Sequence, residues 1–261
     1  MNITRIYAVI LRYMYTFKHS YDRLTDAFYW PALDLLLWGL TGYYFASISS
    51  DTTTAVVGVL SGLIFWIIIW RAQYEVTINL LTELWDKNLI NFFGAPLKFS
   101  EWIVSVMIVG IIKAFLSFLF AALLAYVFYK VNIFMYGWYL VMFVTLLLLS
   151  GWAVGFLVSS ILMRYGTKVQ TLGWSLVWAL APFAAIYYPL SILPNWAQTI
   201  ARLLPPSYVF EQMRSFLYNH TVDMGQLGIC LGLNIIYLAL GFISINMSFK
   251  ALKKKGLAKL H

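Results

Sequence analysis

Along its length the chain alternates long charge-free runs with short polar segments. Residues 131–163, 169–201 and 224–249 contain no Asp, Glu, Lys or Arg. Each run reaches or exceeds the roughly 20 apolar residues needed to cross a hydrocarbon core of about 30 Å. With the apolar stretches nearer the N-terminus, they predict six membrane spans, over 27–49, 54–78, 101–129, 134–163, 169–188 and 224–249.

Other segments carry helical patterns that do not span. Arg5, Arg12 and His19 recur every seven residues on one stripe. Ile6, Val9, Ile10, Tyr13, Met14 and Phe17 follow the i, i+3, i+4, i+7 spacing of an apolar face. Residues 1–22 are therefore expected to form an amphipathic helix on the membrane surface, with His19 toward the headgroups. The 79–100 connection predicts a second short helix: Trp85, Leu89, Phe92 and Phe93 share one face, and Glu83 pairs with Lys87 at i,i+4 on another. Gly94 and Pro96 would stop it, and Ser100 with Glu101 would cap the next span. Its aromatic face needs cover, from the membrane surface or from a partner protein. Between the fifth and sixth spans, Tyr187, Tyr188, Pro189, Pro194, Trp196, Pro205, Pro206 and Tyr208 make the chain aromatic and proline-broken. Two short helices re-entering the outer leaflet fit that segment.

Composition turns this pattern into a class. The chain of 261 residues is 62% hydrophobic and 11% charged, where a soluble domain carries about a quarter charged residues. A soluble enzyme, a disulfide scaffold and a disordered chain are excluded. The fold class is all-α and integral to the membrane. Cys230 is the only cysteine and lies in an apolar run, as a small buried hydrophobe would. The first 20 residues lack a short apolar core with a small-residue cleavage site, so no removable signal peptide is expected.

The net charge of +8 sets orientation rather than nucleic-acid binding. Arg5, Arg12, Lys18, Arg23, Lys87, Lys98, Arg164, Lys168, Lys250, Lys253, Lys254, Lys255 and Lys259 fall on one side of the predicted spans, against Lys130, Arg202 and Arg214 on the other. This bias expects both termini in the cytoplasm, with the basic tail against anionic headgroups.

Catalytic chemistry is sparse. His19, His220 and His261 all lie outside the spans, and neither Gly-x-Ser-x-Gly nor a phosphate-binding Gly-x-x-x-x-Gly-Lys-Ser/Thr occurs. No catalytic, nucleotide-binding or metal-ligating set is expected. Four charges remain inside spans, Asp34, Arg71, Glu75 and Lys113, each costing several kcal/mol if left facing lipid. Arg71 and Glu75 are i,i+4 and suit mutual pairing or snorkelling. Asp34 and Lys113 are expected to pair, within or between protomers, holding the first and third spans in register; a proton relay is the rival reading. Gly39 and Gly42, and the Gly151-x-x-x-Gly155 pair, permit close helix approach.

Several stretches together resemble a known family. The first span opens Phe28-Tyr29-Trp30-Pro31-Ala32-Leu33-Asp34-Leu35, and Glu83-Leu84-Trp85-Asp86-Lys87-Asn88-Leu89 runs into Phe93-Gly94-Ala95-Pro96-Leu97. Tyr188-Pro189-Leu190-Ser191-Ile192-Leu193-Pro194 is followed by Leu204-Pro205-Pro206-Ser207-Tyr208-Val209-Phe210-Glu211-Gln212-Met213-Arg214. The chain resembles an ABC type 2 permease over essentially its whole length, as a single domain.

That resemblance implies the membrane subunit of an exporter in a bacterial inner membrane, moving drugs, lipids or lipid-linked glycans. It implies two copies of a separate ATP-binding subunit, which would bind the ATP and Mg, and a second copy of this chain or a related permease. Residues 82–95 would be the coupling helix, docking Trp85, Leu89, Phe92 and Phe93 or the polar Glu83, Asp86 and Lys87. Residues 189–214 would form the outer gate, with Tyr188, Pro189, Pro194, Pro205 and Tyr208. Trp38, Trp66 and Trp178 are weaker pointers to a substrate path. An ion-coupled secondary transporter, a lipid-acting membrane enzyme and a non-transporting assembly subunit are the alternatives.

Overall fold

The computed structural model describes residues 1–48 and 52–255. Residue 49 at the end of the first expected span, Lys259 and His261 lie outside them. Among the described residues every regular element is helical: α1 (Ile3–His19), α2 (Tyr21–Ile48), α3 (Thr52–Trp85), α4 (Leu89–Gly94), α5 (Phe99–Tyr129), α6 (Trp138–Tyr165), α7 (Leu172–Leu180), α8 (Asn195–Leu203), α9 (Pro205–Asn219) and α10 (Met224–Lys255). Four of these segments are long and apolar enough to cross a membrane: Val56–Trp85, Phe99–Tyr129, Trp138–Val169 and Met224–Lys254.

The other two expected spans look different in three dimensions. α2 has the length, but Asp22, Arg23, Asp26 and Asp34 dilute its apolar character. The fifth expected span is not one helix. α7 is nine residues, roughly 14 Å at 1.5 Å per residue. A 3-10 turn at Ala181–Phe183 follows, with Pro182 in it. Beyond it, Ala185 sits at φ 59°, in the left-handed region.

Local sequence explains the helix ends. Asn2 caps α1 by accepting a hydrogen bond from the Thr4 amide at 2.9 Å. α5 starts at Phe99, where the Glu101 carboxylate accepts from the Lys98 amide at 2.9 Å, so Lys98 rather than Ser100 stands at the cap. Gly137 and Gly166, at φ 54° and 68°, take left-handed conformations that bound α6. Pro205 occupies the first position of α9, where its missing N–H costs nothing.

α3 is the central element. Most of its apolar length is buried, 83% against 22% for α10 at the periphery, and it packs on α2, α5 and α6. The α3–α6 approach is close because Gly151 and Gly155 present no side chain: a Cβ on Gly151 would lie 2.6 Å from both Ala72 Cβ and Ile69 O. The expected glycine pair thus packs two helices of one chain.

Two apolar clusters divide the molecule. One joins Phe65, Tyr136 and Phe143 with Phe210 of α9. The other, at the opposite end, joins Val9, Tyr13, Leu84, Phe99, Trp102 and Phe249. There Phe99 and Phe249 stack with centroids 4.0 Å apart. α1, the ends of α3, α6 and α10 and the start of α5 therefore gather at one end. On the apolar face of α1, Val9, Tyr13 and Phe17 are buried, mainly against α5, and Val9 and Tyr13 join the second cluster. His19 is exposed, its Nδ1 at 2.9 Å from Tyr15 O.

Gly151→Ala should force α3 and α6 apart and destabilise the fold by about 1–3 kcal/mol. Gly228→Ala, where an added Cβ meets nothing within 4 Å, should leave the thermal midpoint in detergent unchanged or slightly raised.

Candidate functional site

The inner face of α3 carries polar side chains one turn apart: Arg71, Glu75, Asn79, and Thr82 with Glu83. Each is answered by another helix. Arg71 Nη1 meets Asp26 Oδ2 of α2 at 2.8 Å and also donates to the Asp26 carbonyl. Lys113 Nζ of α5 donates to Glu75 Oε2 at 2.7 Å, with both side chains 2% exposed. Asn79 Nδ2 donates to Glu75 O and Oε2, and Arg23 of α2 donates to Asn79 and Thr82. The guanidinium of Arg12 in α1 grips Glu83 at 2.7 and 3.1 Å through two nitrogens.

This ladder overturns two expected pairings. Lys113 pairs with Glu75, not Asp34, because Glu75 lies across the α3–α5 interface at hydrogen-bonding distance. Arg71 is taken by Asp26, so it does not self-pair with Glu75. Asp26, Arg23 and Asn79 were not singled out from the sequence; the four-residue spacing of 71, 75 and 79 was the available signal.

The expected coupling helix is also rearranged. Residues 82–95 form two pieces, the last turn of α3 and the short α4, separated by Asp86–Asn88 with Lys87 at φ 55°. Glu83 does not pair with Lys87. It is buried at 1% exposure, where besides Arg12 it accepts from Tyr13 Oη at 3.3 Å and Asn88 Nδ2 at 2.8 Å. Burial, and then the Glu83 carboxylate, push the Tyr13 phenol well above its ordinary pKa, keeping it a neutral donor. Tyr13 Oη in turn accepts from Trp102 Nε1 at 2.9 Å.

Nor do the four apolar positions share a face. Leu89 is buried, Phe92 and Phe93 are half-buried, and Trp85 is exposed. Arg12 lies over the Phe92 ring at 4.9 Å, and Phe93 packs on Phe249 at 4.8 Å. The exposed tip is Trp85, Asp86 and Lys87, with Ile90 and Asn91 beside it. Trp85 Nε1 donates to Gln170 Oε1 at 2.9 Å, tying the tip to the connection between α6 and α7.

At the opposite end, Pro189 and Pro194 precede a 3-10 turn and α8. The segment is pinned by local bonds: Tyr188 Oη donates to Pro182 O at 2.7 Å and Tyr208 Oη to Arg202 O at 2.8 Å. Glu211 accepts from the Leu190 amide at 2.9 Å and from Arg214 at 2.6 Å. Behind it, Pro205, Pro206, Trp66, Val177, Asn234 and Tyr237 help line a cavity of about 190 Å³.

A family model for the ABC-2 type transporter matches residues 6–218. The chain belongs to the ABC-2 type transporter family. No curated protein gives a significant match over it. As an ABC-2 permease it is a membrane transport component rather than a catalyst, and its apolar helices are those of a membrane-spanning protein.

Within this permease a second cavity, about 310 Å³, lies between α2, α3 and α7, lined by Asp26, Trp30, Pro31, Asp34, Trp66, Ile67, Trp70 and Trp178. Trp178 sits 6.1 Å from Trp66 and 5.6 Å from Trp70, centroid to centroid. One turn beyond Asp34, Trp38 stacks on Tyr187 at 4.5 Å. Among the described residues, Asp34 makes no hydrogen bond or ion pair.

Glu75→Met and Lys113→Met should each cost about 3–5 kcal/mol by stranding the other charge, and the double variant should lose far less. Thermal unfolding in detergent checks this; an Asp34–Lys113 pairing would instead make Asp34→Asn as damaging as Lys113→Met.

Proposed function

We propose that this permease is the membrane subunit of an ATP-driven exporter of an amphiphile, a drug, lipid or lipid-linked glycan, in the inner membrane of a bacterium. It would work with two copies of an ATP-binding subunit, which supply the ATP and Mg sites, and with a second copy of itself or a related permease. In this reading the chain crosses six times, through α2, α3, α5, α6, the broken α7 segment and α10, and both termini are cytoplasmic. The clustering of the basic residues with α1 and the ends of α3, α6 and α10 supports that orientation.

The observation that carries the reading is the tip at Trp85–Lys87. It combines an exposed indole, a carboxylate and an ammonium at the end of the most buried helix, so a partner gripping it holds α3 directly. Asp86 and Lys87 are the docking charges, whereas Glu83, Leu89, Phe92 and Phe93 brace the tip from within. Closure of two ATPases would move α3 and, through Gln170, α7, while residues 189–214 gate the other end. An ion-coupled transporter is the second reading, favoured by the unpaired Asp34 beside a broken helix.

Purified from detergent, the wild type should carry a soluble ATPase in fixed ratio. Trp85→Glu/Lys87→Glu should lose that subunit while keeping the wild-type thermal midpoint. Glu83→Gln should instead lower the midpoint by removing the charge that Arg12 grips. A wild type that never retains an ATPase, and that transports on a proton or sodium gradient alone, would replace this reading with the second.

A further inference from the structure

We propose that the cleft between α2, α3 and α7 binds the cationic head of an amphiphile, with Asp34 as the counter-charge and the indoles of Trp30, Trp66, Trp70 and Trp178 as its walls. This rests on the transport reading for its purpose but not for its chemistry. The argument begins with charge. Asp26, Glu75, Glu83 and Glu101 each face a cation or backbone donors within the chain. Asp34, on a helix of the same bundle, has no such partner among the described residues. If α2 spans as the six-crossing reading has it, a carboxylate there without a partner is costly unless something arrives to pair with it.

The surroundings say what would pair. Asp26 and Arg71 neutralise each other at 2.8 Å, so the net charge of the lining is that of Asp34. An anionic head is repelled. A sugar would stack on the indoles too, and Asp34 could accept from its hydroxyls, but Asp26 is already taken by Arg71 and an uncharged ligand leaves the Asp34 charge uncompensated. A substituted ammonium needs what is present: one opposite charge and aromatic faces for its alkyl shell. The stripes that build the walls follow helix geometry. Trp30 and Asp34 are one turn apart on α2, Trp66 and Trp70 one turn apart on α3, and α7 closes the third side with Trp178. Trp30 and Trp178 are 54% and 42% exposed, so the cleft is open at its rim.

The test uses the full chain in lipid nanodiscs and dodecyltrimethylammonium below its micelle concentration, with binding read by calorimetry. The wild type should bind it saturably, and dodecyl maltoside should not compete. Asp34→Asn should weaken binding roughly tenfold or more, Asp34→Glu should retain it, and Trp178→Leu should weaken it. Unchanged affinity in Asp34→Asn, or equal competition by dodecyl maltoside, overturns the proposal; the competition needs no variant and decides alone if Asp34→Asn does not insert. Cation binding that depends on Asp34 without any retained ATPase leaves this site standing and removes the exporter reading. A retained ATPase with no Asp34-dependent binding does the reverse.

Discussion

A helix with an arginine, two glutamates and an asparagine on its inner face cannot stand in a membrane alone. That constraint on α3 organises the molecule. Removing any one of its partners would leave a buried charge uncompensated, so α1, α2 and α5 are held to α3 by the cost of separation as much as by apolar contact. Register follows: Asp26 must reach Arg71 while Lys113 reaches Glu75, which leaves α2 and α5 little freedom to slide. On its other side α3 uses the opposite device, the bare backbone of Gly151 and Gly155, which holds α6 by shape.

The same stripe explains how α1 is held to the rest of the protein. Here Glu83 and Glu101 draw Arg12 and Arg5 inward, with Arg12 bidentate at 2.7 and 3.1 Å and Arg5 at the longer 3.8 Å. Tyr13 then inserts between Glu83 and Trp102, and the apolar face is spent on α5.

Much of this architecture is legible in the residue pattern, and the failures have a common cause. Charge-free runs reveal α6 and α10 because length and apolarity are properties of one segment. The break in the fifth expected span hides behind an apolar run: Pro182 is visible, but the left-handed turn at Ala185 has no residue type to announce it. Pairing is invisible for a deeper reason. Asp34 and Lys113 are the two most conspicuous intramembrane charges of opposite sign, yet Lys113 finds Glu75, which sequence spacing assigns to Arg71. Spacing reports neighbours on one helix; it carries no information on which helix lies across. Likewise the i,i+4 relation of Glu83 and Lys87 presumes a continuous helix, and the turn at Asp86–Asn88 removes that premise. The aromatic cleft has three walls from distant parts of the chain: Trp66 and Trp178 stood out with Trp38 as pointers to a substrate path, but Asp34 was read apart from them and Trp70 not at all.

α3 runs from the aromatic cleft to the exposed tip with no glycine or proline between Leu63 and Trp85, and kinks form where such residues interrupt the backbone ladder. Its glycines, Gly58 and Gly62, lie on the other side of the cleft from the tip, and an added Cβ on Gly62 would sit 2.5 Å from Ile186 O. Under the proposed coupling, a push on Trp85 would meet no such break before Trp70 and Trp66, so α3 would carry it to the aromatic cleft as a movement of the whole helix.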